Sequence, residues 1–231
     1  MKEKLIIIGT SSSARHVYEF VKDYGLFEIL GFAVDRAYIE QDKFCDLPVY
    51  AIEDLDTIID KKEVKLFVAV LWNRLNADRR YLYERLKADG YQFANIIAPT
   101  AIVRGKVTEN SNCWLHDYVM IQPNAVVGEN CLLMAFSLVG SSVQLGAHCF
   151  MGTKSTIAGK SNVGEQTFVG INCTVFDGTN VGDKCILGAC TSVKRHVESY
   201  SIVKTNSDST ATIQMEEDTI ESKLLFKKNV R

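Results

Sequence analysis

The sequence predicts a Rossmann-like α/β unit followed by a left-handed parallel β-helix. Two observations carry that prediction. Strand-like and helix-like segments alternate through the first hundred residues, and from residue 97 a six-residue repeat runs without a gap. The composition agrees: 231 residues, 47% hydrophobic and 23% charged with a formal charge of −2, are enough for two small cores. That balance excludes a disordered, fibrous or polyanion-binding chain, so no nucleic-acid partner is expected. The longest apolar runs are short and no leader pattern opens the chain, which predicts a cytoplasmic protein without a membrane partner.

The elements of the first unit follow from their patterns. Lys4 to Gly9 is a β-branched run ending in glycine, read as a buried parallel strand. A Thr10-Ser11-Ser12-Ser13 turn leads into an amphipathic helix over 14–24, then a strand over 29–34 ending at Asp35 and a loop through Pro48. A polar helix over 54–61, a strand over 65–71, a helix over 76–89 closed by Gly90 and a short strand over 93–97 complete the unit, placed at residues 1–96. Ligands of such sheets sit beyond the carboxyl ends of the strands, which marks Gly9 to Ser13, with Thr10 and Ser11, Asp35 and the segment Trp72, Asn73, Arg74 as one rim. The turn lacks the glycines of a dinucleotide fingerprint. Its serines and amides can hold a phosphate, or the serines can simply cap the helix. Asp35 can accept hydrogen bonds from a ribose or a base, or only start a turn.

The repeat frame runs Ile97, Val103, Glu109, Leu115, Ile121, Val127, Leu133 and on every sixth residue to Val193. Sixteen of these 17 positions are large aliphatic residues or Met, where composition alone predicts about eight. The fifth position of each hexad is always Ala, Val, Cys, Ser or Thr, and glycine recurs at the second, where a corner needs either positive φ or no Cβ. Three hexads make one 18-residue coil of a triangular prism over 97–198, with large residues inside and small ones beside the corners. Cys113, Cys131, Cys149, Cys173 and Cys185 take the small position and are read as core fillers, not as disulfides or metal ligands. No metal site is expected. Residues 199–231 form a C-terminal extension in which Leu224-Leu225-Phe226, flanked by lysines, reads as a short amphipathic element.

A gapless prism has no internal cavity, so a pocket has to lie against another surface, and flat prisms commonly pair by threefold symmetry. The opening Ile6-Ile7-Ile8-Gly9, the Phe67-Val68-Ala69-Val70 strand before Asn73, the Ile97-Ala98-Pro99-Thr100-Ala101-Ile102-Val103 junction and the run Val163 to Asn172 together resemble the bacterial sialic acid O-acetyltransferase and UDP-amino-sugar N-acetyltransferase group. The resemblance spans about 200 residues. It implies an acyl-CoA-dependent, homotrimeric N-acyltransferase, with a nucleotide-linked amino sugar on the first domain and acetyl-CoA, or another short acyl-CoA, between adjacent prisms. It places the family's catalytic histidine at Ser141 and the next acidic residue at Ser142. A second family histidine falls on Phe150 and an asparagine on Met134. The amide that binds the thioester carbonyl falls on Gly159, and Gly170 and Ile171 lie along the cofactor. His148 is the nearest histidine and a candidate base reaching across a subunit boundary, and His116, followed by Asp117, is a second; His16 and His196 read as surface or capping residues. A catalytically degenerate binding or assembly protein, or a sugar O-acetyltransferase, are the rival readings.

Overall fold

The computed structural model describes residues 2–205, 210–217 and 219, so the Leu224-Leu225-Phe226 element lies outside the described residues. The first domain is a five-stranded sheet of β1 (Lys4–Ile8), β2 (Glu28–Val34), β3 (Lys43–Phe44), β4 (Leu47–Ala51) and β5 (Val64–Val68) in the order β3-β4-β2-β1-β5. Strands β1, β2, β4 and β5 run parallel, as their unbroken apolar runs require. Helix α1 (Ser12–Tyr24) packs Ala14, Val17, Phe20 and Val21 on one face of the sheet. Helix α3 (Ala77–Ala88) packs Tyr83 and Leu86 on the other.

The segment between Asp35 and Pro48, expected as a loop, contains the antiparallel pair β3 and β4, whose connecting residues Cys45 and Asp46 adopt positive φ. The polar helix expected over 54–61 shrinks to a 3₁₀ turn, Ile52–Asp54, and one helical turn, α2 (Leu55–Ile58). Only Ile52 and Leu55 of this stretch are buried; a helix that short has no extended apolar face to hold it. Strand β5 ends at Val68 rather than Leu71, and Ile96–Ile97 leaves this sheet to pair with Trp114–Leu115 of the prism.

The second half is a left-handed parallel β-helix, as the repeat predicts. Its two-residue strands stack into three faces. The first holds the strands at 96, 114, 132, 150, 168 and 186, the second those at 102, 120, 138, 156, 174 and 192, and the third those at 106, 126, 144, 162 and 180. Frame and fifth-position residues meet in one continuous interior cluster from Cys113 to Val203. The five cysteines lie in it as free thiols, and Cys113, Cys131 and Cys149 donate to the carbonyls of Gly128, Gly146 and Gly164 at 3.1–3.2 Å. Burial pushes the Cys113 and Cys131 thiols up, which keeps them protonated.

Two frame positions depart from expectation. Glu109 is exposed because the third face of the first coil begins two residues early, pairing Val107 with Val127. Val103 is 39% exposed because it belongs to the end coil, which has no coil beneath it. The open question at the corners is also decided. Positive φ falls on the fourth position, at every sixth residue from Asn112 to Cys190, almost all of them not glycine. The second-position glycines serve close approach instead: a Cβ on Gly128 would lie 2.7 Å from the Ala147 nitrogen of the next coil.

These two positions respond oppositely to substitution. Lys154, an exposed left-handed corner at φ 59°, gains from Lys154→Gly by up to about 1 kcal/mol, because glycine removes the Cβ penalty of that conformation. Gly128→Ala forces the coils apart and destabilises by about 1–3 kcal/mol. Paired thermal melts check both signs.

Candidate active site

The outward residues of the first prism face set the geometry. Ile96, Trp114, Leu132, Phe150, Phe168, Ile186 and Ile202 form an apolar column 16 or 18 residues apart along the chain. Trp114, Leu132 and Phe150 are buried in the same cluster as Leu5, Ile7, Val17, Phe32 and Phe67, so one wall of the prism is also the core of the first domain. Trp72 lies 4.7 Å from Phe150, which stacks on Phe168 at 4.8 Å. The two positions that the resemblance assigns to a histidine and an asparagine, Phe150 and Met134, are therefore apolar packing against the first domain. Sequence reasoning missed this column; its signal is that every third sixth position, from Ile96 to Ile186, is apolar without exception, whereas Gln144, Asn162 and Asn180 interrupt the others.

The rim takes shape at the ends of β1 and β5. Gly9 has φ 123° and donates to the Ala33 carbonyl, turning the chain away from β1. Ser11 stands at the N-cap of α1 yet makes no side-chain cap bond; its hydroxyl pairs with that of Ser13 at 2.7 Å. Thr10 is half-buried beside it and Asn73 is exposed, its amide donating to the Leu71 carbonyl. The next three residues, Arg74, Leu75 and Asn76, all have positive φ. This left-handed turn is held against the prism, with Leu75 buried on Ile186 and Ile202 and the Asn76 amide donating to the His148 carbonyl at 2.6 Å.

Asp35 does not join the serine loop. Its carbonyl accepts from Tyr38 to start a turn, and its carboxylate binds Arg85 of α3 at 2.5 Å, on the opposite face of the sheet from α1. It lines a cavity of about 390 Å³ with Glu53, Asp56, Lys61, Arg85 and Tyr91.

On the prism, Ser141 and Gly159 share the corner between the second and third faces. The Ser141 amide and hydroxyl both bond the Gln122 side chain, at 3.0 and 3.1 Å, and Ser142 is exposed with φ 60°. Gly159 is half-buried, and a Cβ there would meet its nearest atoms only at 3.3 Å, so stacking demands glycine here less than at Gly128. Gly170 and Ile171 stand at another corner, between the first and second faces. Gly170 is packed against the next coil, its imagined Cβ 2.6 Å from the Ala189 nitrogen, whereas Ile171 is 53% exposed. The positions assigned to the cofactor thus occupy two different corners of one chain.

The structure corrects the assignment of His148. It lies at the third corner, beneath α3 of its own chain, with only 3% of its surface exposed. Its Nδ1 pairs with Asn130 at 2.9 Å, and the corner around it is tied to α3 by Tyr83 to Glu129 and Arg80 to Glu165. Burial, then the nearby Arg80 charge, lowers its pKa to about 4. Covered by Tyr83 and Glu84 of its own α3, its ring is not presented to a neighbouring subunit. His116 is likewise structural: it packs among Phe20, Trp114 and His16 and pairs with Asp117 at 2.9 Å, while Asp117 accepts from Tyr24 and Thr100. His196 is exposed and paired with Glu198.

Among the described residues no group of three or more His, Cys, Asp or Glu side chains is placed to hold a metal ion, and no helix is long and apolar enough to cross a membrane.

Comparison with known proteins bears on this arrangement. A family model described as the hexapeptide repeat of succinyl-transferase matches residues 162–195. No curated protein matches by sequence. Among solved structures, the chain is similar to a histidine-to-asparagine mutant of perosamine N-acetyltransferase from Caulobacter crescentus, in complex with CoA and GDP-perosamine. That match has 23% identity and a TM-score of 0.79, and covers 92% of this chain and 97% of the other. WeeI from Acinetobacter baumannii AYE matches at 14% identity and a TM-score of 0.75, over 90% and 99% of the two chains. The acetyltransferase domain of PglB from Neisseria gonorrhoeae FA1090, in complex with acetyl coenzyme A, matches at 18% and 0.65, over 92% and 100%. At these identities the likeness establishes the fold, in both of its parts.

The buried neutral His148 gives the fold a pH dependence. Its folded pKa lies below the ordinary value of 6.5, so the unfolded chain binds the extra proton between about pH 6.5 and 4. Its contribution is fully present above pH 6.5 and is lost as pH falls through that window, by on the order of 3 kcal/mol. Denaturant unfolding at stepped pH shows this loss in the wild type and a flatter profile in His148→Gln.

Proposed function

We propose that this protein is an acyl-CoA-dependent N-acyltransferase, most simply an acetyltransferase, acting on the amino group of a nucleotide-linked sugar. The observation that carries the reading is the likeness over nearly the whole length of both chains to perosamine N-acetyltransferase, described with CoA and GDP-perosamine together. The rim of Gly9, Thr10, Ser11 and Asn73 offers the nucleotide sugar hydroxyls and the first-turn amides of α1. Asp35, drawn to the opposite face of the sheet, serves the base or ribose only if Arg85 releases it.

The split of Gly159 from Gly170 and Ile171 supports a homotrimer. A long, thin acyl-CoA lying between prisms meets both corners where the second-to-third corner of one prism faces the first-to-second corner of its neighbour. The exposed Tyr118 and Phe136, stacked at 4.9 Å beside Met120, give that neighbouring surface apolar area to bury. The setting we assign is the cytoplasm, in glycan or surface-polysaccharide biosynthesis.

In the reaction the sugar amine attacks the thioester carbon, the carbonyl oxygen gains charge, and CoA leaves as the thiol. The Gly159 amide polarises the carbonyl, and Ser141 accepts a hydrogen bond from the attacking amine. Ser141 has no basic partner, only the Gln122 amide, so the proton leaves to solvent; general-base help is typically worth about 10² to 10⁴-fold, and its lack slows transfer without preventing it. A hydroxyl acceptor needs a base more than an amine does, which weighs against O-acetylation.

The absence of a histidine at the Ser141 corner, with His148 buried, favours one other reading, a non-catalytic binding or assembly protein. Incubation with acetyl-CoA and a panel of UDP-, GDP- and dTDP-amino sugars discriminates. Thiol release with at least one is expected, and none across several short acyl donors overturns the transferase. Ser141→His gives a degenerate site activity it lacked, whereas an enzyme adapted to work without the base gains little or loses some.

A further inference from the structure

The side chain that Gly159 lacks leaves a notch in the corner it shares with Ser141. A Cβ there would lie 3.3 Å from the Ser141 carbonyl oxygen, one coil before, and 3.3 Å from Oδ1 of Asp177, one coil after. The three residues are spaced 18 apart, so they take the same place in successive coils, which rise by about 5 Å each. The main chain pins them in that order. The Lys160 amide donates to the Ser141 carbonyl and the Gly178 amide to the Gly159 carbonyl, both at 2.9 Å. A carboxylate therefore stands directly over the amide assigned to the thioester carbonyl.

Asp177 does nothing for the fold. Its equivalent at the next corner, Asp183, accepts from the Glu165 amide at 2.8 Å, and Asp117 accepts from Tyr24 and Thr100. Asp177 is exposed, and among the described residues no group bonds or pairs with its carboxylate, although Lys160, Lys194 and Arg195 share its corner. Lys194 lies over the Phe176 ring instead, at 5.2 Å. The Gly159 amide also has no acceptor among the described residues, whereas the Ser141 amide is taken by Gln122. One notch thus holds a free hydrogen-bond donor and a free carboxylate, a pair that acyl transfer to an amine can use at oxygen and at nitrogen.

We propose that Asp177 is a catalytic residue of the transfer: its carboxylate takes the proton that the attacking amine sheds on its way to solvent. This rests on the reading of Gly159 as the amide that holds the thioester carbonyl. When the amine nitrogen bonds to the thioester carbon, the π pair of the carbonyl moves to oxygen and the adduct is a zwitterion. Its positive nitrogen is far more acidic than a free ammonium, so a carboxylate is basic enough to accept from it. The proton passes to Asp177, the pair on oxygen returns, and the C–S bond breaks. The CoA thiolate takes a proton from water and Asp177 gives its proton to water, leaving an amide, a thiol and no further reactant. The arrangement also selects the acceptor. A carboxylate beside the carbonyl opposes an adduct charged only at oxygen, as an alkoxide would form, and suits one whose nitrogen is positive.

Thiol release from acetyl-CoA by the full chain, with whichever UDP-, GDP- or dTDP-amino sugar of the panel reacts fastest, tests this. Asp177→Asn preserves shape and removes the proton acceptor; kcat is expected to fall about a hundredfold or more, with the KM for acetyl-CoA within about threefold of wild type. Asp177→Ala falls as far and regains about tenfold with added formate, but nothing with chloride at equal ionic strength, since a small carboxylate enters an exposed notch. Both variants melt with wild type, because no partner is lost. The proposal is overturned if Asp177→Asn retains kcat within about threefold, if only the KM for acetyl-CoA changes, or if formate restores nothing to Asp177→Ala. With an active wild type, any of these overturns this proposal alone. Wild type that releases no thiol with any acceptor and any short acyl donor overturns it together with the functional reading.

Discussion

The interaction on which the rest depends is the sharing of one prism wall by two cores. A β-helix needs nothing outside itself to bury its interior, since the frame residues fill it coil by coil. The outward column of Trp114, Leu132 and Phe150 is an addition with a different purpose. By burying that column under α1 and the sheet, the chain fixes the rim of the first domain at a set height along the prism. Each large side chain so covered contributes roughly 1.5–3 kcal/mol, enough in sum to make the two halves one body.

That shared wall also decides which polar groups remain available. The corner beneath α3 closes over Asn112, Asn130, His148 and Gln166, and each of these is spent on satisfying a neighbour. Asn112 accepts from the Val68 amide of edge strand β5 and passes its own amide to Asn130, so a strand end that would otherwise be bare is completed by the prism. Among the described residues, the corner of Ser141 and Gly159 bonds only to other parts of the prism. On the proposed function, the chemistry there is left to groups that fold stability does not claim.

The prism was legible in the sequence because its rule is local: each hexad repeats the same steric demand, and Cys131 or Ser161 can be placed without knowing any other part of the fold. The first domain was legible in its strands and two long helices but not in α2 or in β3 and β4, which are too short to show a period. The site was legible only as positions. That Asp35 turns to Arg85 depends on how α3 lies against the sheet, and that His148 lies under α3 depends on how α3 meets the prism; neither segment carries a pattern for these contacts between residues far apart in the chain. The apolar column lay in plain view, but its period is 18 and it emerges only when every third hexad is compared.

The far end of the prism differs from the rest in one respect. Ser201–Thr205 joins the first face after 16 residues rather than 18, and Thr210–Gln214 then returns antiparallel to it. A stack of identical parallel coils is its own template: the exposed backbone of the last coil is the mould for one more, whether from the same chain or another. Reversing the strand direction ends that copying on the face that bears the first domain, because an antiparallel edge presents the wrong hydrogen-bond spacing to a parallel coil. Of the three faces, the one whose register positions the rim is thereby the one protected against growing out of register.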